Sequence, residues 1–330
     1  MQEQNQSKFR LEQIKKAIYQ DGVSSFAEIS TISKDLRETL GKEMALLSFE
    51  VQKVLVSKDK QSIKALLKLQ DGNLIETVLI APKPDVWSAC ISCQVGCAMG
   101  CRFCATGKLG LKRNLTAEEI ADQVLFWIQY LRTTNHKLQT IVYMGMGEPF
   151  LNWKEVSESL KDLTDEKLFE FGSRSISVST SGIPEGIEKL AEEFPQVNLA
   201  LSLHFGSDEK RSQMMPINRQ NNLEKLRQAL KNYFLKTKRK VFLEYVMLNG
   251  VNDSSEDADK LISFVRSIGK LQLLHVNLIR YNSTDCEFKS SSKERTVMFR
   301  DYLVKNNISV TIRKSLGEEI QGACGQLAGK

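Results

Sequence analysis

Cys97-Ala-Met-Gly-Cys101-Arg-Phe-Cys104 sets three thiols at CxxxCxxC spacing, with an aromatic residue just before the third. A [4Fe–4S] cluster is a cube with four iron corners, and each corner takes a thiolate. Three cysteines leave one iron open to a substrate or cofactor, whereas a fourth would favour plain electron transfer. An open iron of this kind can hold S-adenosylmethionine (SAM) and cleave it reductively to a carbon radical. A structural zinc site is the competing reading, but zinc takes four ligands, commonly from paired CxxC units. No second half follows this motif, and the histidines are only His136, His204 and His275. Cys93 offers a shifted register with Cys97 and Cys101. That register lacks the final CxxC step, so Cys93 reads as a small buried residue.

The rest of the composition agrees with an enzyme that keeps its thiols reduced. Of the seven cysteines, five fall between Cys90 and Cys104, a poor disulfide framework. Neither a secretory segment nor a run of membrane-spanning length is present, so a cytoplasmic protein with no membrane partner is expected. With 42% hydrophobic and 26% charged residues in a chain of 330, the sequence can bury a large core and is not disordered. The net charge of +6 permits a polyanionic partner without requiring one.

Working outward from the cysteines, residues 1–44 read as a small helical accessory domain. Residues 1–7 are polar and expected to fray. Phe9, Leu11, Ile14, Ala17 and Ile18 recur at helix spacing up to Asp21-Gly22, and Phe26, Ile29, Ile32, Leu36 and Leu40 follow as a short helix pair. Residues 45–89 read as a β-hairpin extension, with Asp71-Gly72 as its turn. Residues 90–330 alternate strands and helices. Thr116-Ala-Glu-Glu119 is a capping box. Strands are expected around residues 140–144, 175–179, 197–204, 240–248, 274–279 and 309–313. Near-continuous apolar strands between helices indicate a parallel sheet covered by helices. Polar or glycine-rich residues cluster at the strand C-termini, where barrel-type α/β folds carry their sites. A doubly wound open sheet is the alternative that the pattern alone leaves open.

The cysteine cluster, Gly147-Glu-Pro149, Ser179-Thr-Ser-Gly182, Ser202-Leu-His204, Met215-Pro-Ile-Asn218, Gly250-Val-Asn-Asp253 and Ala323-Cys-Gly-Gln-Leu327 stand in one order. This ordered set resembles the radical SAM RNA methyltransferases of the RlmN/Cfr family, from about Phe9 to the C-terminus. The resemblance implies an α/β fold: a partial (β/α)6-type radical SAM barrel with a small N-terminal helical domain and a short β extension. It implies one [4Fe–4S] cluster on Cys97, Cys101 and Cys104, with SAM held by Gly147, Glu148, Ser179, the segment Ser202, Leu203 and His204, and Asn282. Cys324 matches the methyl carrier, Cys90 its partner thiol, and Glu76 a proposed proton acceptor. Without the family, Cys324 reads as an incidental thiol and Glu76 as a solvated hairpin residue.

The implied reaction accounts for this equipment. Adenine C2 and C8 are electron-poor and do not attack a methyl sulfonium. In the family, the carrier cysteine takes a methyl from a first SAM as a thiolate. A second SAM is cleaved to a radical that removes hydrogen from the S-methyl group, and the carbon radical adds to the adenine. Proton loss and attack by the partner thiol release methylated RNA and leave a Cys90–Cys324 disulfide. Two SAM are consumed per turnover. The implied partners are 23S rRNA, tRNA as a second substrate, and a flavodoxin-like or ferredoxin-like electron donor. Adenine C2 is the expected position, with Tyr245-Val-Met-Leu and Leu-Ala-Gly329 on the RlmN side. Phe103-Cys-Ala-Thr-Gly107, Asn114-Leu-Thr116 and His275-Val-Asn-Leu-Ile-Arg-Tyr281 lean towards the Cfr type, which acts at C8. Lys108, Lys112 and Arg113, the run from Lys236 to Lys240, and Arg313-Lys314 are candidate RNA contacts, though any one such patch is more often a solvated basic face.

Overall fold

The apolar stripe near the N-terminus folds as α1 (Lys8–Lys15), which runs on as a π-helical turn over Lys16–Gln20. After a 3-10 turn at Phe26–Glu28, α2 (Lys34–Glu43) starts at Ser33, whose side chain accepts the Leu36 N–H. The computed structural model describes residues 8–284 and 286–329; residues 1–7, with their expected fraying, lie outside it. Next come β1 (Phe49–Val56), β2 (Ser62–Leu69) and β3 (Leu74–Lys83), paired antiparallel in sequence. The β2–β3 turn falls at Asp71-Gly72, as its residues predict.

The next strand, β4 (Val86–Cys90), is not legible in the sequence because Pro82 and Pro84 interrupt the pattern just before it. It pairs antiparallel with β3 on one side and parallel with β7 (Leu138–Tyr143) on the other. The expected division between residues 89 and 90 therefore falls inside a strand, and the hairpin is continuous with the main sheet. Between β4 and β7 lie a two-stranded clip, β5 (Gln94–Gly96) with β6 (Leu111–Asn114), the short helix α3 (Ala105–Lys108) and the long helix α4 (Ala117–Arg132). Thr116 and Glu119 close the expected capping box on α4.

The remainder alternates: α5 (Trp153–Thr164), β8 (Ile176–Thr180), α6 (Pro184–Glu193), β9 (Asn198–Ser202), α7 (Asp208–Met214), α8 (Leu223–Lys236), β10 (Val241–Met247), α9 (Ser255–Ile268), β11 (Leu274–Arg280), α10 (Lys293–Lys305) and β12 (Val310–Arg313). Ten strands form one sheet in the order β1-β2-β3-β4-β7-β8-β9-β10-β11-β12. From β4 to β12 all pairings are parallel, and spatial order equals chain order. A doubly wound sheet reverses its strand order at a switch point, and this one never does. Right-handed crossovers repeated in one direction keep every helix on one face. The result is six β–α units and a closing strand, the partial (β/α)6 barrel.

Strands β8 to β11 alternate helix-facing and barrel-facing residues. Val178, Leu199, Leu201, Leu243, Val276 and Leu278 are fully buried. The N-terminal segment shares this core. Gln129 of α4 donates to the Val23 carbonyl at 2.9 Å, Arg132 donates to Glu28 at 2.6 Å, and Ile14, Ile18 and Phe26 belong to the same apolar cluster as the barrel. Among the described residues no helix is long and apolar enough to cross a membrane.

Candidate active site at the strand ends

Cys97 leaves the β5–β6 clip, its N–H donating to the Gly110 carbonyl at 2.9 Å. Gly96 precedes it at φ +78°, and a Cβ there would lie 1.9 Å from the Gly110 oxygen, so this crossing of the loop requires glycine. Cys104 closes the loop as its N–H donates to the Cys101 carbonyl at 3.1 Å. The three motif cysteines line one wall of a cavity of about 180 Å³ at the C-terminal rim of the barrel. Met99, Phe103, Phe205, Met214, Met215 and Tyr281 pack with them into an apolar shell.

Burial pushes the Cys97 thiol up to about 12 and raises Cys101 and Cys104 as well. Thiols this reluctant to ionise become thiolates only against a cation. Among the described residues no three His, Cys, Asp or Glu side chains converge on one single-ion point. A [4Fe–4S] cube asks for something else, one thiolate for each separate iron. Three cysteines on one wall of an apolar cavity therefore fit that group and fit a lone zinc ion poorly.

The strand ends supply the facing wall. Gly147, Glu148, Ser179, Ser202 and His204 all line the cavity. Gly147 sits at φ +110°, where a Cβ would meet Gln94 and the Cys93 sulfur within 3 Å. Cys93 is thus the buried packing residue its spacing suggests. Glu148 is buried, and burial raises its pKa. Its Oε2 accepts from the Ser181 N–H at 2.7 Å and the Ser181 hydroxyl at 2.6 Å, which ties the β7 loop to the β8 loop.

His204 holds a left-handed backbone at φ +58°. Its Nδ1 accepts from the Val246 N–H at 3.1 Å, so the neutral ring carries its proton on Nε2. Burial, then the nearby Arg211, takes its pKa down to about 3. Arg211 is itself fully buried and donates to the carbonyls of Ser181, at 2.5 Å, and Leu203, at 3.1 Å. Leu203 is fully buried, and its side chain is absent from the cavity lining.

Cys324 lines the same cavity and is exposed. Its loop docks onto the cysteine loop. The Ala105 N–H donates to the Gly325 carbonyl at 2.8 Å, and the Thr106 hydroxyl donates to the Leu327 carbonyl at 2.6 Å. Behind Cys324 a second cavity holds Cys90, Val78, Ile80, Asn282 and Ser315. Asn282 therefore stands on the Cys90 side rather than in the first cavity. It donates to the Cys324 carbonyl at 3.2 Å and accepts from the Ser315 hydroxyl. The seven cysteines are free thiols, so the Cys90–Cys324 disulfide implied by the resemblance is not formed here. Burial pushes the Cys90 thiol up to about 12, with the neighbouring Cys324 adding to the rise.

Glu76 lines neither cavity. It is buried rather than solvated: Lys64 reaches its Oε1 at 2.7 Å, and the N–H groups of Ala328 and Gly329 donate to its Oε2 at 2.7 and 3.1 Å. Period two places it on the β3 face that carries Val78, one step beyond the second cavity.

No motif marks Glu244, and the sequence offers Arg313 only as an RNA contact, yet both line the first cavity. A carboxylate inside the apolar strand Val241–Met247 was the signal available for Glu244. Several residues of the basic runs have local partners. Arg113 pairs with Asp71 and Glu119, Lys236 pairs with Glu192, and Lys314 donates to Gln61.

Residues 91–262 match the Radical SAM superfamily, and residues 1–46 match the ribosomal RNA large subunit methyltransferase N-terminal domain. A curated relative in Clostridium botulinum, named ribosomal RNA large subunit methyltransferase Cfr, is 44% identical over 97% of this chain and 92% of its own. The dual-specificity RNA methyltransferase RlmN of Syntrophus aciditrophicus is 40% identical over 98% and 91%. The crystal structure of a radical SAM methyltransferase from Sphaerobacter thermophilus superposes with a TM-score of 0.94 at 39% identity, covering 100% of this chain and 95% of that one. With this site and these relatives, the chain belongs to the RlmN/Cfr family of radical SAM ribosomal RNA methyltransferases.

Proposed function

We propose that the protein methylates C2 of an adenosine in 23S rRNA by way of an S-methylated Cys324, and that tRNA is a second substrate. The observation that carries the reading is the position of Cys324. The fold brings it from the far end of the chain to a wall shared by two cavities, one lined by the motif cysteines and one by Cys90. Cys97, Cys101 and Cys104 would hold the [4Fe–4S] cluster; when bound, the cluster and SAM supply a 5′-deoxyadenosyl radical.

The chain's own residues do the rest. Gly147, which lets the β7 loop close against Gln94 and Cys93, brings that loop's backbone to the cavity where SAM would sit, and the neutral His204 offers an Nε2–H donor that stays uncharged at working pH. The apolar shell around Phe103 and Met215 packs against the motif cysteines. Cys324 receives the methyl group as a thiolate, at the expense of a second SAM per turnover. Cys90 waits behind it to resolve the bond to RNA. The target base must leave its stack to reach this depth. For Glu76 a proton-acceptor role requires release from Lys64 and from the tail N–H groups. The reductant is a flavodoxin-like or ferredoxin-like protein.

The tRNA reading draws on the relative named dual-specificity. The Cfr name on the Clostridium relative favours C8 as the second reading. Mass spectrometry of nucleosides from treated 23S rRNA separates the two: 2-methyladenosine is expected, and 8-methyladenosine without it would sink the C2 assignment. Cys324→Ala is expected to abolish either product.

A further inference from the structure

The two thiols share one cationic neighbour. Arg313 ends β12, and its side chain lines both cavities together with Cys324. It lies in register with Ile279 of β11, which faces the barrel interior. Two strands away, Glu244 of β10 is buried and holds the Arg313 guanidinium by one Nη1 contact at 3.5 Å. Asn277 of β11, between them, donates to the other Glu244 oxygen at 2.9 Å. One end of the guanidinium is thereby anchored, and the rest remains on the wall that carries Cys324.

We propose that Arg313 is the thiol-activating residue of this site, the cation against which Cys324, and after it Cys90, becomes a thiolate, with Glu244 as the carboxylate that anchors and tempers it. The inference rests on the reading that Cys324 is the methyl acceptor. Charge balance supports it. Burial lowers Arg313, yet Glu244, Cys324 and Cys90 together hold it above its usual value. Burial raises Cys324, Arg313 pulls it back and Glu244 pushes it further up.

The other charged groups on these walls have partners of their own, Glu148 of the first cavity being held by the Ser181 N–H and hydroxyl. Arg280 lines both cavities, but its side chain is 60% exposed and turned to Glu318 at 3.9 Å. Lys314 reaches Gln61. Cys104 touches both cavities from the cysteine loop and has its own ligand role. In the first methyl transfer the Cys324 thiol loses its proton to water. The new S–CH3 bond forms as the sulfonium C–S bond breaks, and S-adenosylhomocysteine leaves. A fixed guanidinium favours the thiolate before the sulfonium arrives.

The two partners of the pair give opposite signs. In anaerobic, cluster-loaded protein, iodoacetamide labelling of Cys324 and Cys90 is followed by peptide mass spectrometry between pH 6 and 10. Cys90 carries no methyl group at any stage and reports even where Cys324 is already methylated. Arg313→Gln is expected to slow labelling by about tenfold or more at pH 8, equivalent to one pKa unit. Arg313→Lys should restore most of it, and Glu244→Gln, which keeps an acceptor for Asn277, should speed it. A purely structural role for the pair would move both neutral variants the same way; that result, or unchanged profiles in all three, overturns the proposal. Intact wild-type labelling behaviour with no S-methylcysteine on Cys324 after SAM treatment would instead sink the carrier reading and leave the charge arrangement standing.

Discussion

His204 concentrates several constraints in one residue. Its left-handed backbone turns the β9 end back on itself, its Nδ1 is occupied by the Val246 N–H, and its ring stands edge-on to Phe103 at 5.0 Å. A protonated ring there would face the buried charge of Arg211 with no counter-charge. The unfolded chain takes up a proton near pH 6.5, and the folded one only near 3. The histidine's contribution is therefore fully present above pH 6.5 and is lost as pH falls from there towards 3, by about 1.4 kcal/mol per pH unit. Denaturant titrations at pH 7 and pH 5 should show a shallower loss for His204→Asn, since asparagine tolerates the left-handed backbone but does not titrate. Equal slopes would mean that the ring is not held neutral. By the same reasoning, SAM affinity should carry no His204 titration between pH 5 and 8.

At the scale of elements, the C-terminal tail and β3 form a latch. Diagonal neighbours on β2 and β3, Lys64 and Glu76, make a buried ion pair, and the second Glu76 oxygen is used by two tail N–H groups. Removing one partner of a buried pair leaves an uncompensated charge, which costs about 3–5 kcal/mol. Glu76→Ala is expected to lose about that much stability and to open the tail to limited proteolysis near Ala323–Leu327. Glu76→Gln, which still accepts the tail N–H groups, should lose less. A Glu76→Ala protein with a wild-type melting curve and a protected tail would refute the latch. The same latch keeps Cys324 against the cysteine loop through Gly325 and Leu327, so a loosened tail should also lower the rate of S-methylcysteine formation.

Across the whole molecule, the accessory segment and the barrel share one core. Gly22 lies at φ +64°, and a Cβ there would come within 2.8 Å of Ile128 Cγ2 on α4. Gly22→Ala should therefore cost about 1–2 kcal/mol from strain and clash, and lower the melting temperature by about 2–4 °C, as one shift of a single transition. A separate early transition confined to residues 8–43 would show instead that the segment is an independent unit.

Much of this architecture was legible from the chain alone. The apolar strand runs, the Thr116–Glu119 capping box, the Asp71-Gly72 turn and the cysteine spacing are local signals, set by side-chain period, backbone freedom and ligand count. They determined the strand–helix alternation and, with the ordered motifs, the family. Strand β4 escaped because prolines mask its start and its identity depends on two partners far away in sequence. The choice between a barrel and a doubly wound sheet is a matter of strand order, which no local pattern encodes. Only the tertiary structure showed that Arg313 lines the cavities of Cys324 and Cys90, that Glu76 is paired rather than free, and that Asn282 stands on the Cys90 side of Cys324. Each of these depends on which charges share a low-dielectric wall, and that is decided when distant strands close together, not by any neighbour along the chain.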